Sequence, residues 1–204
     1  MIRETFPEDI AIETDIAADL WVVEIDSREL QLALLNLCFN ARDAMPSGGS
    51  IRISAKNQTL QDDRLGLAGS YVAIEIADHG PGIPPEVLPR VFEPFITTKA
   101  VGAASGLGLS QVHGFVHQSG GAVDIASEPG RGTVVRMYLP AATAPAPAEA
   151  SSSPEVAAGV MYPERIVENE LAFAEAGPVA EPYQMASKPH AIKKLETWLR
   201  RLFA

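Results

Sequence analysis

The sequence has a single cysteine, Cys38, in 204 residues, so no internal disulfide can form. Cys38 sits in an apolar helical run, where a buried thiol is expected and a reducing compartment fits. Positive charge is in the minority, 16 Lys and Arg against 26 Asp and Glu, for a net −10. That balance excludes a nucleic-acid groove as the main function, because binding a phosphate backbone needs a positive surface. No stretch approaches the roughly 18 apolar residues of a membrane span. The start, MIRETFPEDI, has acids and no apolar run of signal-peptide length. A cytoplasmic location is the expectation. No internal repeat is visible.

What is present is an ordinary globular composition, 47% hydrophobic and 21% charged, enough for one domain and an appendage. Asp26 followed by Glu29 at the capping-box spacing starts a helix, SRELQLALLNLCFNARDAM, that ends before Pro46, Gly48 and Gly49. IRISAK from Ile51 and YVAIEIAD from Tyr71 alternate as half-buried strands, with NQTLQDDRLGLAGS between them as a loop. A second helix is expected from about Leu107 to Gln118, then strands AVDIAS and GTVVRMYLP about a turn at Pro129 and Gly130. The pattern predicts a two-layer α/β sandwich, a mixed and mostly antiparallel sheet with helices on one face. Past Pro140 the composition changes to AATAPAPAEASSSPE, an extended, solvated linker. The expected division is a domain at 1–141, a linker at 142–160 and a largely irregular tail at 161–204.

On the first helix Asn36, Asn40 and Asp43 share one stripe while Leu30, Leu34, Leu37 and Ala41 line another. A polar stripe is commonly a wet face, but asparagine is a mediocre helix former and its amide oxygen ligates hard cations such as magnesium. Both readings stand on the helix alone. In ADHGPGIPP, Asp78, Gly80 and Gly82 place a carboxylate at a strand end with two flexible positions beyond it. This is either an acidic turn or an acceptor for an exocyclic amine. Gly106 and Gly108 open the second helix, where free backbone N–H groups attract phosphate oxygens.

Taken in order, NLCFNARDAM, DHGPGIP, FEPFITTK, SGLGLS and GGAVDIASEPGRGT resemble the N, G1, F and G2 boxes of sensor histidine kinase catalytic domains. These belong to the ATPase superfamily shared with gyrase-type, MutL-type and chaperone ATPases. The resemblance implies the ATP-binding sandwich of that superfamily (the Bergerat fold), with ATP held between the first helix and a mobile lid near 95–105. By matching position, Asn40 resembles the magnesium-binding asparagine, and Asn36 lines the phosphate side with Asp43 nearby. Asp78 looks like the adenine-recognising acid, with Gly80, Gly82 and Ile83 as its loop and the Thr133 hydroxyl as its support. Gly106, Leu107, Gly108 and Leu109 resemble the polyphosphate cradle, and Lys99 and Arg42 phosphate-side cations. ATP and Mg²⁺ are the implied cofactors.

Two departures stand out. Family lids often read G-x-G-T-G-L-G, where this chain has Gly102, Ala103, Ala104, Ser105, Gly106. No segment resembles the hairpin that carries a phosphoacceptor histidine, and His79, His113, His117 and His190 all lack a following acid. The i, i+4 pair His113 and His117 is read as packing or solvent contact in preference to a metal site. In the gyrase-type and chaperone relatives a glutamate base lies four residues before the magnesium asparagine. Here Asn36 occupies that position, and an amide takes no proton at neutral pH. The implied activity is therefore transfer of the ATP γ-phosphoryl group to a histidine on a dimerisation domain and, through it, to a response regulator. A non-catalytic ATP-binding interaction module is the alternative.

The end of the chain, HAIKKLETWLRRLFA, is expected to form an amphipathic basic helix near 189–203 with Ile192, Leu195, Trp198, Leu199 and Leu202 on one face. Docking on its own protein or a partner is favoured over a membrane surface.

Overall fold

The computed structural model describes residues 6–61, 65–97, 105–143, 190–192 and 194–203. Its first helix, α1 (Ser27–Ala44), begins where Asp26 turns extended and its carboxylate accepts the Arg28 N–H at 2.8 Å. That bond satisfies one of the donors a helix start leaves free. Leu30, Ala33, Leu34, Leu37, Cys38 and Ala41 are buried along one face of α1, and Pro46 follows its end. Burial pushes the Cys38 thiol up to about 12, so it is a packing group without thiolate chemistry near neutral pH.

Seven strands appear among the described residues: β1 (Ile10–Ile16), β2 (Val22–Ile25), β3 (Gly49–Leu60), β4 (Gly69–Asp78), β5 (Ala122–Glu128), β6 (Gly132–Thr143) and β7 (His190–Ile192). They form one sheet in the order β1-β3-β4-β6-β2-β7, with β5 on β6. Only β1 and β3 run parallel; the other pairs are antiparallel. Strand alternation divides the two faces. Ile51, Ile53 and Ala55 of β3, Val72, Ile74 and Ile76 of β4, and Val135, Met137 and Leu139 of β6 share one core with α1 and α2 (Gly108–Gln118). On the other face Arg136 donates to Glu75 and to Asp124, and Leu60, Tyr71, Ala73 and Tyr138 form a second cluster with Leu65 and Leu67. This is a mixed, mainly antiparallel sheet with helices on one face. No described helix is long and apolar enough to cross a membrane.

The structure departs from the sequence pattern in several places. β3 continues through Asn57–Leu60 and β4 restarts at Gly69, so much of the stretch expected as loop is a hairpin extension. β1 and β2, which the pattern did not single out, frame the entry to α1. β6 continues to Thr143, two residues past the expected boundary at 141, because Ala141 and Thr143 pair with β2. Most of the expected linker and tail, 144–189, lies outside the described residues. The terminal helix α3 is shorter than expected, Leu195–Phe203, and Ile192 belongs to β7, paired with Val23 of β2. A residue committed to a ladder cannot also continue the helix.

The apolar face of α3 is spent on the protein itself. Leu195, Leu199, Leu202 and Phe203 enter the main core, and the Arg200 guanidinium donates to the Ile16 carbonyl at the end of β1. Replacing the fully buried Leu199 with alanine is expected to cost about 2–5 kcal/mol of this docking. Hydrogen exchange of the full chain would show it as faster exchange in α3 and β7 together with a lower Tm. Unchanged exchange and Tm would contradict the packing described.

Candidate functional site

A cleft of about 420 Å³ opens between α1, the start of α2 and the ends of β4 and β6. Its α1 wall carries Asn36, Asn40, Arg42 and Asp43, its floor Ile76, Asp78, Thr133 and Val135, and its rim Ser105 to Leu109. Ile83, Val87, Val91, Ile96 and Thr97 close the remaining side. Residues far apart in sequence thus meet because α1 and α2 lie side by side on the same sheet face. Asn36 Nδ2 donates to Gln111 Oε1 at 3.1 Å, tying the two helices together.

The start of α2 has no side-chain cap, so the N–H groups of its first turn are left for another acceptor. Just before it Gly106 has φ +68°, and a Cβ there would lie 2.6 Å from the Phe95 carbonyl carbon. Glycine is required at this crossing. Phe95 N–H donates to Gly106 O at 2.9 Å, and Phe95 itself has φ 67° with its side chain 74% exposed. That bond ties the chain at Phe95 directly to the start of α2. Residues 98–104, and with them Lys99, lie outside the described residues.

Asp78 ends β4 with its carboxylate facing the cleft floor. Burial raises its pKa above the ordinary aspartate value, and hydrogen bonds from the Gly80 and Thr133 backbone N–H groups, with nearby His79, only partly offset this. The Gly80 bond is 2.8 Å to Oδ1. The Thr133 hydroxyl, expected to support the acid, lies 3.0 Å from Ser127 Oγ. Gly80 and Gly82 do not line the cleft but shape the loop behind it. Gly82 has φ +75°, and a Cβ there would lie 2.2 Å from the Glu128 carbonyl oxygen, so no side chain fits.

Arg42 lines the cleft but is engaged. Its guanidinium bonds Asp43 Oδ1 at 2.9 and 2.7 Å and sits 4.7 Å above the Phe39 ring. His113 packs between Phe92 and His117, at ring distances of 5.2 and 6.1 Å, away from the cleft lining. Sequence reasoning missed Ser127. Its Oγ accepts the Ile83 N–H at 2.8 Å and donates to Gly132 O at 2.9 Å, joining the loop after Asp78 to the β5–β6 hairpin. The available signal was its position opposite Thr133 across the Pro129–Gly130 turn.

Residues 25–143 match the family described as histidine kinase-, DNA gyrase B-, and HSP90-like ATPase. The chain is 43% identical over 138 residues to the sensor kinase CckA of Brucella abortus (strain 2308), covering 65% of this chain and 15% of that protein. It is 37% identical over 141 residues to the two-component sensor PprA of Pseudomonas aeruginosa, covering 69% and 14%. The chain therefore spans only about a seventh of the length of these relatives. Among solved structures it is similar to the mycobacterial sensor histidine kinase MprB, with 32% identity, a TM-score of 0.53, and coverage of 69% of this chain and 87% of that one. It is also similar to full-length ShkA in complex with AMPPNP, with 29% identity, a TM-score of 0.55, and coverage of 71% and 29%.

The raised pKa of Asp78 makes its contribution to stability greatest below the ordinary aspartate value of 3.8, and that contribution is lost as pH rises through the higher value in the folded protein. Without nucleotide, Asp78→Asn is thus expected to melt at or above the wild-type Tm at pH 7, with the gap narrowing toward pH 4. Thermal unfolding across that range checks it; a variant markedly less stable at pH 7 would contradict the burial penalty assigned here.

Proposed function

Because the chain belongs to the histidine kinase-, DNA gyrase B- and HSP90-like ATPase family, we propose that its cleft binds ATP with Mg²⁺ and that it is the catalytic module of a two-component sensor histidine kinase. The γ-phosphoryl group passes to a histidine on a dimerisation hairpin, and from there to a response regulator. The observation that carries this reading is the convergence of Asn40, Asp78 and the uncapped start of α2 on one cleft. Asp78 accepts the exocyclic amine of adenine, and the loop of Gly80, Gly82 and Ile83 sets its position. Gly106, Gly108 and Leu109 present backbone N–H groups to the phosphates, joined by the Leu107 N–H, which here donates to Ser105 Oγ at 3.4 Å. Asn36 and Arg42 line the phosphate side with Asp43, and Lys99 is a further cation there.

The donor set suits magnesium. Among the described residues no group of three or more His, Cys, Asp or Glu side chains could hold a metal. A cation at the Asn40 amide oxygen would draw its other ligands from phosphate and water, which is the habit of Mg²⁺. Bound there, it supplies charge neutralisation on the polyphosphate. The protein's part is positioning: it holds the base at Asp78 and the phosphates at α2, so that the γ-phosphoryl group faces an incoming imidazole.

Transfer is favoured over hydrolysis by what α1 lacks. Asn36 donates its amide to Gln111 and has no proton-accepting group, while Asp43 is occupied by Arg42 at 2.7 Å. An ATP-using site together with the thiol of Cys38 fits the cytoplasm.

The reading is tested by mixing the full chain with radiolabelled ATP and dimerisation hairpins from sensor kinases of the relatives' class. Acid-labile phosphate on a hairpin histidine is expected, reduced at least about tenfold by Asn40→Ala. No labelled histidine under any pairing, with ATP bound, would contradict the kinase reading. In the same chain Asp78→Asn is expected to weaken ATP binding by about tenfold or more, since a hydrogen bond to a charged group is worth about 1.5–3 kcal/mol. Unchanged affinity would place the adenine elsewhere.

A further inference from the structure

Ser127 is outside the cleft lining, yet its hydroxyl decides what the cleft floor offers a base. A serine hydroxyl has one proton and two lone pairs. The Gly132 carbonyl, 2.9 Å away, can only accept, so it takes the Ser127 proton. The Ile83 N–H, at 2.8 Å, can only donate, so it takes one lone pair. The remaining lone pair faces the Thr133 hydroxyl at 3.0 Å, and the only complementary arrangement has Thr133 donating to Ser127. The proton of Thr133 is thereby turned away from the cleft that Thr133 lines. What remains toward the cleft is lone pairs, beside the carboxylate of Asp78.

We propose that Ser127 is a positioning residue for base selectivity: it locks the Thr133 hydroxyl as an acceptor, so the floor favours a purine with an exocyclic amine over one with a carbonyl at the same position. This rests on reading the cleft as an ATP site. An amine donates to an acceptor floor; a carbonyl there faces lone pairs and leaves polar groups unpaired, which is the stronger form of discrimination. Removing the Ser127 hydroxyl frees the Thr133 proton to swing toward the cleft and meet a carbonyl. The same removal leaves the Ile83 N–H and the Gly132 carbonyl without this partner, so a general loosening of the loop must be told apart from a change of polarity.

The ratio of affinities for ATP and inosine triphosphate separates the two. Both carry the same ribose and triphosphate, and inosine has a carbonyl where adenine has its amine. Calorimetric titration of the full chain is expected to show a preference for ATP that Ser127→Ala narrows by about tenfold, the worth of one mismatched hydrogen bond. Ser127→Thr, which keeps the hydroxyl on a strand where a β-branched residue is welcome, is expected to retain the wild-type ratio. Thr133→Val, nearly isosteric and without the acceptor, is expected to narrow it as well, which keeps the test open should Ser127→Ala fold poorly. Equal weakening of both nucleotides by Ser127→Ala, or an unchanged ratio in Ser127→Ala and Thr133→Val, overturns the assignment while leaving the ATP site intact. Wild-type chain that binds no ATP overturns the underlying reading instead.

Discussion

A half-buried carboxylate at the end of a strand is the constraint around which the cleft is organised. Water solvates an ionised acid better than a protein wall does, and the raised pKa of Asp78 reflects that loss. Its charge is sustained by two backbone N–H groups, from Gly80 and from Thr133, so both must be fixed in space. The register of β4 on β6 sets Thr133 opposite Asp78. The loop carrying Gly80 is held in turn by the Gly82 contact with Glu128 and by the Ile83 N–H on Ser127. A misregistered sheet would strand the acid without donors, so ladder and site depend on one another.

The second half of the cleft follows from helix packing. α1 and α2 use the same sheet face, which sets the polar stripe of α1 against the open start of α2. A Cβ on Gly108 would come within 3.4 Å of Asn40 Nδ2, so the first turn of α2 and the asparagine amide are already close. Polar groups that would otherwise sit uncompensated at a helix start are thereby aimed at one volume. The far edge is bound by a different device, the return of the chain as β7 on β2, the strand that leads through Asp26 into α1. The entry to the site-bearing helix is thus flanked on one side by its own C-terminal segment.

Long periodic elements were legible in the sequence. α1 announced itself through the Asp26 cap and a leucine stripe that burial matches residue for residue at Leu30, Leu34, Leu37 and Ala41. The cores of β4 and β6 were legible because the face toward the helices carries a large aliphatic residue at every second position, Val72, Ile74 and Ile76 on β4 and Val135, Met137 and Leu139 on β6. Failures occurred where that force is missing. Asn57, Gln58 and Thr59 extend β3 without an apolar residue among them, so alternation gave no signal. β1 buries only Ile10 and Ile16 fully, and β7 is three residues long, too short for any period. In the cleft, Asn40, Asp78 and Gly106 stood out through the order of motifs that resembles histidine kinase catalytic domains, since residue type and spacing alone left a wet helix face or an acidic turn open. Neither motif nor spacing could reveal that the Thr133 hydroxyl lies against Ser127 Oγ, because side-chain partners across a hairpin depend on strand register. Ser127 was hidden for the same reason: a serine on a strand has no pattern of its own until its hairpin partner is known.

The central claim is that Asp78 meets the base as an ionised, half-buried carboxylate. Its most direct test is the affinity of the full chain for ATP measured calorimetrically between pH 4 and pH 8, with Asp78→Asn measured alongside to remove the titration of the nucleotide. The account predicts that wild-type affinity, relative to the variant, falls on acidification with a midpoint above the ordinary aspartate value of 3.8. A ratio of the two affinities that stays constant across this range would contradict it.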